Sequence, residues 1–217
     1  MNDHLFVLSG TRMTARASGA LWLADTATLC VSDLHLGKSD RIARRSGFLL
    51  PPYETRATLD RLAAEIGALN PRRVICLGDS FDDLAAAQTL DPDDLAHLGS
   101  LQAGRQWIWM EGNHDSGPIA LGGSHKQTHV TGGLTFRHIA LPGALGEVSG
   151  HYHPKYHVPG IGGARPAFLY DTARLILPAF GAYTGGMRTT DPALRGLFGA
   201  QAMAVLTGTR AIALPLG

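Results

Sequence analysis

The sequence is poor in cysteine and has little excess charge of either sign. Its two cysteines, Cys30 and Cys76, each lie in a short apolar segment, so we predict small buried residues. Two thiols are too few for a disulfide framework or a soft-metal site. Basic residues (19) nearly balance acidic ones (18), and the formal net charge of +1 gives no global indication of nucleic-acid binding. A local basic face is compatible with this total.

Long apolar runs and a secretory signal are also missing. No uninterrupted apolar stretch approaches the ~20 residues of a membrane-spanning helix. The first residues lack the basic region and apolar stretch typical of a secretory signal. We therefore predict no membrane association and a reducing, cytoplasmic location. With 217 residues, 45% of them hydrophobic, the chain can bury a substantial core, and we predict one domain over residues 1–217.

Apolar, β-branched runs alternate along the chain with glycine, proline and aspartate. The predicted strands are Leu5–Ser9, Ala20–Ala24, Thr28–Ser32, Val74–Leu77, Trp107–Glu111, Leu134–Ile139, Glu147–Ser149, Phe168–Asp171, Arg174–Leu177, Ala202–Thr207 and Ala211–Leu214. Helical spacing predicts helices over Tyr53–Leu69, Asp91–Leu101 and Pro192–Phe198. The order is β-α-β at first and mostly β later. It predicts an α/β fold of two mixed sheets packed together, with helices outside.

Four short polar motifs follow predicted strands. They are Asp33-Leu34-His35, Gly78-Asp79-Ser80-Phe81-Asp82, Gly112-Asn113-His114-Asp115 and Gly150-His151-Tyr152-His153. Each alone is compatible with an ordinary polar turn. Together they supply carboxylate, amide and imidazole ligands at strand ends, where functional loops of α/β folds gather. Two divalent ions about 4 Å apart can clamp an in-line displacement at phosphorus, so the combination indicates a metal-dependent phosphoesterase.

One further imidazole is needed to complete the ligands of two metal ions. Three histidines lie between the third and fourth motifs, namely His125, His129 and His138. His138 follows a predicted apolar strand, whereas His125 and His129 lie in a polar stretch. We therefore favour His138.

The motif series resembles the calcineurin-like metallophosphoesterase superfamily. The resemblance implies a four-layer α/β/β/α sandwich and two divalent ions. The implied ligands are Asp33, His35 and His153 for one ion, Asn113, His138 and His151 for the other, and Asp79 as a bridge. It also implies that His114 acts as general acid or stabilises the transition state, and that Asp82 orients it. From the mixed oxygen and nitrogen ligands we predict Mn²⁺, with Fe or Zn as alternatives.

A narrower resemblance extends into the last third of the chain. The segments Asp33–Lys38, Gly150–Lys155 and Leu177–Gly186 are similar to bacterial ligase-associated DNA damage response endonucleases. This resemblance implies cleavage of DNA phosphodiesters by a metal-activated water. It also implies an ATP-dependent DNA ligase and a helicase as partners. A small-molecule or nucleotide phosphodiesterase remains an alternative, as does a weakly active, metal-stabilised interaction subunit. Homo-oligomerisation is left open.

Substrate contacts are predicted from basic and aromatic residues near the motifs. The predicted residues are Lys38, Arg44, Arg45, Lys155 and Tyr183. In a helix, Arg41 would share a face with Arg44 and Arg45, and such a face could contact phosphates or be merely solvated. Tyr183 and Phe180 could stack on a base or pack in the core.

Overall fold

Two mixed β-sheets face each other at the centre of the fold. The structure, a computed structural model, describes residues 2–47, 53–117, 120–158 and 163–216. Within them the first sheet has seven strands in chain order: β1 (His4–Leu8), β2 (Thr11–Ala15), β3 (Leu21–Leu23), β4 (Thr28–Val31), β5 (Arg73–Leu77), β6 (Gln106–Met110) and β7 (Ser124–Lys126). Strands β1 to β4 pair antiparallel and β4 to β7 pair parallel.

The second sheet is built from the later part of the chain. Its strands are β8 (Thr128–Thr131), β9 (Leu134–Arg137), β10 (Glu147–Ser149), β11 (Lys155–His157), β12 (Ala164–Tyr170), β13 (Arg174–Ile176), β14 (Met203–Leu206) and β15 (Ile212–Pro215). Their order is β15-β14-β12-β13-β10-β9-β8, with β11 beside β12. Strand β10 runs parallel to both β9 and β13.

Helices cover the outer faces of the sheets unequally. They are α1 (Lys38–Ser46), α2 (Glu54–Leu69), α3 (Leu84–Thr89), α4 (Pro92–Gln102) and α5 (Pro192–Arg195). Leu59 and Leu62 of α2 and Leu98 of α4 pack with Val74 and Cys76 on the outer face of the first sheet. The outer layer of the second sheet is thinner, and only the short α5 contributes helix to it.

The core between the sheets explains the apolar runs of the central strands. Ile75 and Leu77 of β5 pack against Phe136 and Val148 of the second sheet, while the alternate residues of β5 face the helices. A strand buried on both faces has no polar alternation. The layers therefore confirm the predicted α/β/β/α sandwich.

Most predicted elements form close to their predicted limits. The predicted strands Ala20–Ala24 and Thr28–Ser32 form the antiparallel pair β3 and β4, and Phe168–Asp171 and Arg174–Leu177 form the antiparallel pair β12 and β13. The third predicted helix is shorter than expected: α5 ends at Arg195 rather than at Phe198. Cys30 and Cys76 are free and fully buried, as predicted. In the described part of the chain, no helix has the length and apolar character needed to cross a membrane.

Candidate metal centre

The polar motifs meet at one end of the sandwich. Parallel strands β4, β5 and β6 end side by side, as the pairs Val31–Cys76 and Cys76–Trp109 show, and each leads directly into a motif. The facing strands β9 and β10 lead into His138 and His151. Parallel strands thus deliver their C-terminal loops to one edge, which is where α/β folds place their sites.

A first cluster of donors contains Asp33, His35 and His153. One ligand atom from each lies within 4.8 Å of the others. The Nε2 atoms of His35 and His153 are 3.3 Å apart, and His153 Nε2 is 3.1 Å from Asp33 Oδ1. Asp33 is fully buried, and its Oδ1 has no hydrogen-bond donor in satisfying geometry. A buried carboxylate oxygen facing two imidazole nitrogens is the arrangement that a cation would stabilise.

A second cluster adjoins the first and contains Asp79, His138, His151 and Asn113. Its donors converge on His138 Nε2, with Asn113 Oδ1 at 3.0 Å, His151 Nδ1 at 3.2 Å and Asp79 Oδ2 at 3.3 Å. His138 Nδ1 is 3.9 Å from Asp33 Oδ1, so the two clusters are adjacent. The structure brings together the predicted ligands. The bridging role of Asp79 remains a prediction.

Neighbouring groups orient two of the imidazoles. His138 Nδ1 donates to the carbonyl of Leu77 at 2.9 Å, and His35 Nδ1 lies 2.8 Å from Asp82 Oδ1. With Nδ1 carrying the proton, each Nε2 presents a lone pair to its cluster. Metal-binding histidines are held in this way by a carbonyl or carboxylate. The donor set therefore fits divalent ions with mixed oxygen and nitrogen ligands, and the presence of two such ions remains a prediction.

The backbone at the clusters is unusual, because most ligand residues have positive φ. The φ angles of Asp33, His35, Asp79, His151 and His153 lie between 44° and 71°. This left-handed region costs a side-chain-bearing residue about 1 kcal/mol or more. Backbone bonds between loops compensate for the cost. The backbone N–H of His35 donates to the carbonyl of Asp79 at 2.9 Å, and the backbone N–H of His151 donates to Asp33 Oδ2 at 3.0 Å.

Asp115 holds two of the loops together. Its buried carboxylate accepts four backbone N–H groups, from Asp79, Ser80, Phe81 and Gly112, at 2.8 to 3.2 Å. Gly112 is needed at this crossing, because a Cβ there would lie 2.2 Å from the backbone nitrogen of Asp79. The loops that carry Asp79 and Asn113 are thus fixed relative to each other.

The carboxylates and imidazoles shift one another's titration. Burial raises the pKa of Asp79, but bonding to His138 and the charges of His138 and His114 hold it below its ordinary value. Burial raises the pKa of Asp33, but the close contact with His153 and the charges of His153 and His138 outweigh burial and lower it. Burial opposes charge on His138, yet the same carboxylates raise its pKa. Burial and the charge of His138 lower the pKa of His151. Carboxylates kept ionised beside imidazoles match the demands of metal binding.

His114 lies outside these two clusters, in a third group of possible ligand atoms with His35 and Asp82. Its Nδ1 donates to the backbone carbonyl of Asp82 at 2.9 Å, which leaves Nε2 facing Asp79 Oδ2 at 4.0 Å. The carboxylate of Asp82 instead contacts His35 and Arg41, with Arg41 Nη1 at 2.8 Å from Oδ2. Any orientation of His114 by Asp82 therefore acts through the backbone carbonyl. Arg41 Nη1 also lies 3.2 Å from His114 Nδ1.

Comparison with known proteins places this geometry on a known fold. No family model matches the chain. No curated protein matches it. Among solved structures, it is similar to the crystal structure of Pseudomonas putida nuclease MPE, with 25% identity over 98% of this chain and 100% of that chain, at a TM-score of 0.79. The chain has the fold of that nuclease.

The predicted substrate residues have varied environments. Arg44 is engaged with Asp40 at 2.9 Å and Asp83 at 3.0 Å, whereas Arg45 is exposed. Lys155 Nζ donates to the carbonyl of Thr184 at 3.1 Å. Lys38 begins α1 and is half-buried, and Tyr183 is 57% exposed in the loop after β13. Substrate contact by these residues remains a prediction.

Other residues took roles that the sequence did not reveal. Phe180 is fully buried, with Arg61 4.5 Å above its ring, so it belongs to the core. His125 and His129 lie near Trp109 and Phe136 and in neither cluster. Sequence reasoning overlooked the role of Asp115 and the pairing of Arg41 with Asp82. The position of Asp115 directly after Asn113-His114 was the available signal.

Proposed function

We propose that this protein is a metal-dependent phosphodiesterase that cleaves nucleic acid. The observation that carries the proposal is the pair of adjoining donor clusters built on Asp33 and Asp79. The fold shared with a nuclease supports nucleic acid as the substrate. The motif resemblance supports the finer proposal of a DNA endonuclease in repair that acts with an ATP-dependent ligase and a helicase. Mn²⁺ is the ion we propose, with Fe or Zn as alternatives.

The chain's own residues divide the chemistry among them. Bound divalent ions would polarise the phosphoryl oxygens and acidify a water molecule. His35, His138 and their supporting groups fix the positions of the donors. His114 projects Nε2 towards the clusters and would donate a proton to the leaving oxygen as the phosphorus–oxygen bond breaks. Arg41 neutralises Asp82 and holds α1 against this side of the site.

The test is hydrolysis by Mn²⁺-loaded protein of a chromogenic phosphodiester, single-stranded DNA and double-stranded DNA. Asp79→Asn removes a charge from the clusters and should abolish turnover and lower the metal content, measured by elemental analysis. Asp25→Asn is the matched control. Asp25 is exposed and, among the residues the structure describes, forms an ion pair with Arg12 alone, so this change should alter neither property.

Each outcome supports a different function. Activity on DNA and on the diester that Asp79→Asn abolishes supports the nuclease. Activity on the chromogenic diester alone would indicate a nucleotide-like substrate. Silence on every substrate, despite bound metal, would indicate an interaction subunit. Full metal occupancy in Asp79→Asn would contradict a role for this carboxylate as ligand.

A further inference from the structure

A groove opens directly beside the second donor cluster. Its volume is about 610 Å³, and its lining includes the ligand His151 together with Tyr152, Met187 and Arg188. Tyr152 packs edge-on against the ring of His151, with centroids 5.2 Å apart. The groove therefore begins at the candidate metal centre and leads away from it along one side.

The wall that carries Arg188 is held by regular backbone pairing. Met187 donates to the carbonyl of Tyr152 at 3.2 Å, Lys155 donates to that of Met187 at 2.8 Å, and Thr189 donates to that of Lys155 at 3.1 Å. Extended residues alternate in direction. Met187 packs on the core of the outer layer and Thr189 is buried, whereas Arg188 is exposed. Its guanidinium is thus presented to the groove from a fixed segment.

The charge of Arg188 is uncompensated within the described residues. Its guanidinium makes no hydrogen bond or ion pair there, unlike Arg41 and Arg44, which are engaged with carboxylates. The groove also borders Asp191, whose carboxylate forms no ion pair with Arg188; Asp191 Oδ1 accepts the N–H of Ala193 and caps α5. An exposed, unpaired guanidinium beside a phosphoesterase centre is suited to bidentate contact with a phosphate.

A second groove continues beyond Arg188. It has a volume of about 350 Å³ and is lined by Arg188 together with Lys155, Tyr156 and His157. Arg188 therefore stands between a groove at the metal centre and a groove with further basic and aromatic groups. A small diester would need only the first. A polynucleotide strand has a phosphate at every nucleotide and could use both.

We propose that Arg188 binds a backbone phosphate next to the scissile one, and that the strand leaves the centre through these two grooves on the His151 side. The proposal rests on the proposed nuclease function and specifies its substrate as a strand that extends beyond the cleaved bond. Tyr152 offers a ring against which the adjacent base can stack.

The experiment compares Arg188→Ala with the wild type on a chromogenic diester and on a single-stranded DNA 20-mer, both with Mn²⁺-loaded protein. The kcat/KM for the 20-mer should fall about tenfold further than that for the diester, through KM. The slope of the logarithm of the 20-mer binding constant against the logarithm of the salt concentration should become shallower by about one unit. Arg188→Lys should recover part of the loss. Arg210→Ala removes an exposed arginine that lines neither groove and should change neither substrate's kinetics.

The outcomes distinguish a failure of this proposal from a failure of the proposed nuclease function. Equal losses on both substrates, or none on the 20-mer, would overturn the phosphate contact while the nuclease stands. A wild-type protein that cleaves the diester but no DNA would overturn the nuclease and this inference with it. An unchanged salt slope in Arg188→Ala would show that its guanidinium meets no phosphate.

Discussion

Asp115→Asn tests how the ligand loops are held. Each oxygen of the Asp115 carboxylate accepts two backbone N–H groups: Oδ1 from Asp79 and Gly112, and Oδ2 from Ser80 and Phe81. Asparagine has the same shape but one acceptor, and its amide would face two donors. Two buried bonds to a charged group are worth about 1.5–3 kcal/mol each, which gives a loss of about 3–6 kcal/mol. Burial raises the pKa of Asp115 above its ordinary value, so removing the charge recovers part of this, and we expect about 3 kcal/mol.

The assay is urea unfolding at neutral pH in the presence of a chelator, so that metal binding does not mask the change in free energy of unfolding. Asp91→Asn is the matched control, because Asp91 caps α4 at an exposed position and asparagine caps equally well. Its effect should be within about 0.5 kcal/mol of zero. Similar unfolding free energies for the two variants would refute the structural role assigned to Asp115.

Two further predictions concern the site. Gly112→Ala places a Cβ 2.2 Å from the backbone nitrogen of Asp79 and should cost about 3 kcal/mol in urea unfolding, whereas Gly67→Ala, exposed in α2 with open space around it, should add about 0.5–1 kcal/mol. A stable, fully metallated Gly112→Ala protein would contradict the crossing of the loops. His114→Ala should keep its metal, measured by elemental analysis, and lose about 10²–10⁴ in turnover of a diester with a poor leaving group. An unchanged rate would remove His114 from the reaction.

The sequence predicts those parts of the fold in which local pattern and burial agree. Strands β4, β5 and β6 are apolar after their first residue because helices cover one face and the second sheet covers the other. Strands β2, β7, β8 and β11 were missed. The residues of β7 (Ser124–Lys126), β8 and β11 (Lys155–His157) are largely half-exposed and polar, and pairing with a neighbour makes them strands.

The sequence predicts which residues could be ligands, but not which neighbouring side chains hold them in place. Ligand candidates stand next to strand ends, and a strand end can be seen in the sequence. The partner of a long side chain cannot, because it depends on tertiary packing. Arg41 and Arg44 lie one turn apart on α1, yet one meets Asp82 and the other pairs with Asp40 and Asp83. Arg188 lies in a segment without any motif, and only its position beside His151 draws attention to it.

The left-handed backbone of the ligand residues also has an evolutionary consequence. His35 and His153 occupy left-handed conformations that glycine or asparagine adopts at lower cost, so a benefit from their donor atoms is needed to retain them. Asp33 has a second structural role, because its Oδ2 accepts the backbone N–H of His151. A descendant that ceased to need the ions would therefore gain stability by replacing His35 or His153 first. Glycine or asparagine at these positions in a relative would therefore be an early mark of lost activity, appearing before the sheets themselves had changed.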